Sequence, residues 1–124
     1  MNWEVYPECV YEMIKKFSAY DGIKKIIVTE NGSAFHDDVQ HNKVNDDERV
    51  NYLRHHLEQV RRAKRDGHNI HGYFAWSLTD NFEWAEGYHP RFGLVHIDYA
   101  TQKRTVKSSG RWYSRLLKGK ECKV

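Results

Sequence analysis

Two short segments constrain this chain more than anything else in it. Ile26-Ile27-Val28 is a continuous β-branched run closed by Thr29-Glu30-Asn31-Gly32, and residues 70–78 are apolar and aromatic on both alternations, with Ile70, Phe74, Trp76 and Leu78 on one and Tyr73 and Ala75 on the other. A strand that leaves one face in water alternates apolar with polar residues, so such runs predict strands covered on both faces, as in a parallel sheet. A helical pattern precedes each. Pro7 suits a first helical turn, and Val10, Met13, Ile14 and Phe17 recur at helical spacing until Asp21-Gly22 stops them. Asn45 with Glu48 three residues on reads as an N-cap, Val50, Leu53, Leu57 and Val60 mark a second buried stripe, and Gly67 closes that helix. Further on, residues 92–99 and 103–107 predict a short hairpin, and Ser108 or Ser109 caps a last helix ending near Lys118. The order helix, strand, helix, strand, helix predicts an α/β protein with right-handed parallel crossovers. Two parallel strands are marginal alone, and here each has one neighbour, so the sequence reads as part of something larger.

Composition narrows the function classes. With 40% hydrophobic and 30% charged residues in 124, the chain suits one modest globular domain. It contains no apolar run of the ~18 residues a membrane span needs, and Met1-Asn2-Trp3-Glu4 is no signal-peptide start; no membrane partner and a cytoplasmic location are the expectations. A net charge of +3, with acids dispersed among the bases, speaks against nucleic acid as a partner. The basic run Arg61-Arg62-Ala63-Lys64-Arg65 falls at the predicted end of a helix, where cations complement the macrodipole. Cys9 and Cys122 read as free thiols. His36, Asp37, Asp38 and His41 are explained by a mixed polar surface loop over residues 33–43, His55 and His56 by the solvated side of a helix, and His68 and His71 by a strand start. Neither a metal nor a cofactor is expected.

Glu30 stands where an apolar strand meets a tight turn, the carboxyl edge at which α/β folds place ligands. On its own that position suits a turn-stabilising acid as well as a catalytic one. Its context is Gly72-Tyr73-Phe74-Ala75-Trp76-Ser77-Leu78-Thr79-Asp80-Asn81-Phe82-Glu83-Trp84 and Arg91-Phe92-Gly93-Leu94. Together with Thr29-Glu30-Asn31-Gly32, these segments resemble, in order and approximate spacing, glycoside hydrolase family 1, whose best-known members are β-glucosidases. The resemblance runs from Trp3-Glu4-Val5-Tyr6-Pro7 to the final helix with Trp112 and Tyr113.

What the resemblance implies is specific. Residues 1–124 would be a C-terminal fragment of a single (β/α)8 TIM-barrel domain, comprising its last two strands and flanking helices. Glu30 would be the nucleophile of a retaining β-glycosidase, Glu83 would accept hydrogen bonds from sugar hydroxyls, Trp84 would donate its indole N–H, Trp76 would offer an apolar face, and Phe92 would pack beside the same subsite. Asp80 and Asn81 are read as loop-shaping. The family's acid/base glutamate lies in a Thr-x-Asn-Glu-Pro motif, and no Asn-Glu-Pro occurs here. The expected partners are therefore a β-glycoside or oligosaccharide and the missing N-terminal barrel portion, with the isolated chain inactive and prone to self-association. The alternative is a noncatalytic carbohydrate-binding or interaction fragment.

Overall fold

The computed structural model describes residues 3–120. Helix α1 (Glu8–Ser18) leads to strand β1 (Ile26–Asn31), then to a two-residue hairpin of β2 (Val39–Gln40) and β3 (Lys43–Val44), helix α2 (Asp47–Arg65), strand β4 (Ile70–Ala75), hairpin strands β5 (Val95–Ile97) and β6 (Arg104–Val106), and helix α3 (Ser108–Leu117). Parallel β1 and β4 are joined through α2, giving a βαβ unit. The expected loop over residues 33–43 thus contains all but the last residue of a small hairpin.

The helices cover one face of the β1–β4 pair. Tyr11 and Ile14 of α1 meet Val60 and Ala63 of α2 and Ile70 of β4, with Ile26, Val28 and Tyr73 packed against them. A second cluster joins Val50 and Leu53 of α2 to Leu94 and Trp112, with Ala75 and Tyr113 beside them. Burying each such aliphatic side chain contributes about 1.5–3 kcal/mol. The stripe on α1 differs from the expected one: Tyr11 takes the buried position, while Met13 and Phe17 are nearly half exposed. The opposite face of the strands carries Ile27, 49% exposed, and Phe74, 60% exposed. Strands suited to two covered faces are covered on one among the described residues.

Strand register corrects the sequence reading of faces. Ile26 pairs with Ile70 and Ile27 with Gly72, so β4 holds one extra residue at His71. That bulge places Ile70 with Tyr73 and Ala75 on the helix side, not with Phe74 and Trp76. A second irregularity runs the other way: Val28 pairs with Tyr73 but Asn31 with Ala75, three steps on β1 against two on β4. Bulges of this kind re-aim side chains beside functional sites.

Candidate active site

The second bulge decides where Glu30 points. Strict alternation from Val28, which faces the helices, would turn Glu30 toward the helices too. The extra residue instead puts Asn31 on the helix side, where its side chain bonds Tyr52 and Tyr73, and leaves Glu30 on the open face. Beside it the chain must pass close to β4. Trp76 N donates to Asn31 O at 2.8 Å, and a Cβ on Gly32 would lie 1.7 Å from Trp76 O, so only glycine fits there.

Glu30, Trp76, Glu83, Trp84 and Phe92, the five residues singled out in the sequence, all line one cavity of about 670 Å³ at the carboxyl ends of β1 and β4. Trp3, Gly32, Asn81 and Phe82 complete its described wall. Trp3 comes from the opposite end of the sequence and sits 6.2 Å, ring to ring, from Phe92; nothing in its local pattern signals this. Trp84 is 82% exposed on a single 3₁₀ turn, Trp84–Glu86. Asn81 Nδ2 donates to Glu83 Oε2 at 2.8 Å, which orients that carboxylate toward the cavity. Two acids and several aromatic faces in one cleft suit a ligand that offers both hydroxyls and C–H faces.

Beneath this wall lies a charge network that the sequence reading assigned to surface and loop. The Asp80 carboxylate, fully buried, accepts from Gly93 N at 2.9 Å, Ile97 N at 3.2 Å, Arg91 at 3.0 Å and Lys107 Nζ at 2.8 Å. Burial alone would raise this carboxyl, but the Lys107 ammonium and the two amides outweigh it and hold it below the usual carboxylate value. Lys107 also pairs with Asp37, and Arg49 joins Asp37 at 3.1 Å to Asp46 and to the Arg91 carbonyl. Asp37, expected on a mixed polar surface, is therefore a buried ion-pair partner. Three carboxylates and three cations balance in charge, which is the condition for keeping ions out of water. Through it the loop of Glu83 and the Arg91-Phe92-Gly93 segment are bolted to α2 and to the start of α3.

His56 is a further correction. It is buried, stacked on Tyr52 at 3.9 Å, with Nδ1 2.7 Å from Tyr52 O, so Nδ1 carries the proton. Burial holds its pKa below the ordinary histidine value. Cys9 is exposed and free, and Cys122 lies outside the described residues. Among the described residues no group of acids, histidines and cysteines could hold a metal ion, and no helix is long and apolar enough to cross a membrane.

A βαβ unit with a cavity at the carboxyl ends of its strands is the arrangement of α/β folds, (β/α)8 barrels among them. Comparison with known proteins narrows this further. The profile of Glycosyl hydrolase family 1 matches residues 1–122, and the chain belongs to that family. It is 52% identical over 119 residues to a 1,4-beta-D-glucan glucohydrolase of Thermotoga neapolitana, covering 95% of this chain and 27% of that protein. A 6-phospho-beta-galactosidase of Leptotrichia buccalis is 44% identical over 121 residues, covering 97% of this chain and 26% of that one. Among solved structures, the family 1 β-glucosidase from Thermotoga maritima in complex with isofagomine lactam superposes with a TM-score of 0.95 at 47% identity, across 99% of this chain and 28% of that one. The chain thus spans about a quarter of the length of the relatives it matches, as part of a barrel.

Proposed function

We propose that this chain is the nucleophile-bearing portion of a retaining β-glycosidase of β-glucosidase type, completed by a barrel portion that supplies the acid/base carboxyl. The observation that carries the reading is the bulge that turns Glu30 out of the helix layer into the cavity shared with Glu83, Trp76, Trp84 and Phe92. In this reading a Glu30 carboxylate oxygen attacks the anomeric carbon. The bond to the leaving oxygen breaks as that oxygen takes a proton from the acid, about 5–5.5 Å away, and a glycosyl ester forms. Water, deprotonated by the same group, then releases the sugar with its configuration retained. Glu83 accepts from hydroxyls of the bound sugar, and the Trp84 indole N–H donates to another.

Charge also selects among the glycosides that relatives act on. The described wall of the cavity contains two carboxylates and no cation, whereas a sugar phosphate needs arginine or lysine to bind. An uncharged β-glycoside is therefore the proposed substrate. Combining the chain with the N-terminal portion of a family 1 barrel should restore hydrolysis of an aryl β-glucoside in preference to its 6-phosphate. Glu30→Gln should lower that activity by a factor of about 10⁴ or more, since both covalent steps depend on the carboxylate. Equal activity of Glu30→Gln would overturn the reading.

A further inference from the structure

The residue after Glu30 is held more firmly than Glu30 itself. The Asn31 side chain donates from Nδ2 to the Tyr52 hydroxyl at 3.3 Å and accepts at Oδ1 from the Tyr73 hydroxyl at 2.6 Å, while the Tyr52 hydroxyl donates to Gly32 O at 3.1 Å. Each donor finds an acceptor, so the three contacts are mutually consistent. The two phenols come from different elements, Tyr52 from α2 and Tyr73 from β4. Tyr52 is fixed in turn by stacking on His56 and by the edge of Phe35 at 6.1 Å. Burial raises the pKa of both phenols, which keeps them protonated and able to donate.

Neighbouring side chains on a strand point to opposite faces. Tying Asn31 to the helix face therefore fixes Glu30 toward the cavity, and the same grip holds the three-against-two register between β1 and β4. We infer that Asn31, clamped by Tyr52 and Tyr73, is the positioning residue that sets the direction of Glu30. This rests on Glu30 being the nucleophile. None of the three side chains lines the cavity, so they act on the substrate through the residues they hold, Glu30 foremost.

The test uses the chain assembled with the complementing N-terminal barrel portion and a β-glucoside carrying a good phenolate leaving group. Tyr73→Phe keeps the ring and removes only the hydroxyl that holds Asn31 Oδ1. It should lower the rate of glycosyl-enzyme formation roughly 10- to 100-fold, the scale of losing orientation at a reacting group, while KM for the same glucoside changes little. The control background is Glu30→Ala rescued by azide, in which azide attacks the anomeric carbon, the phenolate leaves and a glycosyl azide of inverted configuration forms. Azide needs no positioning by the strand, so adding Tyr73→Phe there should change the rescued rate by less than about twofold. Asn31→Ala should repeat both results. An equal loss in both backgrounds would assign Tyr73 a general structural role and overturn the inference, as would a wild-type rate for Tyr73→Phe. Full turnover by Glu30→Ala without azide would instead remove the nucleophile reading beneath it.

Discussion

Glu30 and Gly32 flank Asn31, and each is constrained for a separate reason. Glu30 owes its direction to one extra residue in β1. Gly32 owes its identity to the Trp76 carbonyl, which occupies the space a Cβ would take. Because the obstruction is backbone on both sides, relief requires the two strand ends to part and the bond from Trp76 N to Asn31 O to break. Gly32→Ala is accordingly expected to destabilise the fold by about 3 kcal/mol or more, at or beyond the upper end of overpacking costs, measured by thermal or denaturant unfolding of the assembled barrel. Wild-type stability would show that the strand ends are not so closely apposed. At this scale the site was legible in part. Glu30, Trp76, Glu83, Trp84 and Phe92 stand in recognisable segments, and the cavity gathers all five. The Asn31 clamp was not legible, because a bulge is a property of two strands in register and the sequence of one strand does not record it.

Elements carry the second lesson. Helix α2 reads from its stripe as a simple amphipathic helix, and Val50, Leu53 and Val60 are buried as expected. Arg49 and His56 share that buried face because each has a partner that the stripe cannot reveal: Asp37 and Asp46 for the arginine, the Tyr52 ring and carbonyl for the histidine. Lys107 is likewise fully buried just before α3 because Asp37 and Asp80 surround it. Removing it leaves two carboxylates in the interior with too few cations. Lys107→Met should cost about 3–5 kcal/mol, and the added change Asp37→Asn should recover part of that loss because the two residues share one network; strictly additive costs from unfolding curves would contradict the network.

His56 gives the same helix a pH dependence. Its folded-state pKa is depressed below 6.5 by burial, so the unfolded chain takes up a proton first as pH falls. The neutral histidine contributes fully above the unfolded value, and stability declines as pH drops through 6.5 toward the lower folded value. Asp80, also depressed, adds a loss in the same direction at more acid pH. His56→Gln should flatten the decline between pH 7 and pH 5 in unfolding experiments, and an unchanged slope would exclude His56 as its source.

The molecule as a whole is one-sided. Helices cover one face of β1 and β4, and the other presents Ile27, Phe74 and the cavity. A separate groove of about 420 Å³ between the β5–β6 hairpin and α3 is lined by Leu78, Val106 and Leu117, and Leu78 and Leu117 are each at least 70% exposed. Both surfaces are apolar, and the sequence signalled the first of them through strands too apolar for one covered face. Apolar area of this kind drives association. The isolated chain is expected to self-associate or fold incompletely, as seen by sedimentation, whereas a sharp monomeric thermal transition would contradict that.

The proposed covalent bond between Glu30 and the sugar underlies the whole functional reading. Its most direct test is trapping in the assembled barrel with a 2-deoxy-2-fluoro-β-glucoside bearing a good leaving group. Fluorine beside the anomeric carbon disfavours the positively charged transition state of both steps, and the reactive leaving group lets the first proceed, so the glycosyl-enzyme accumulates. Peptide mapping by mass spectrometry should place one fluoroglucosyl group on the segment containing Thr29-Glu30-Asn31-Gly32, with fragmentation assigning it to Glu30. A label on any other residue, or none in a preparation that turns over aryl glucosides, would contradict the account.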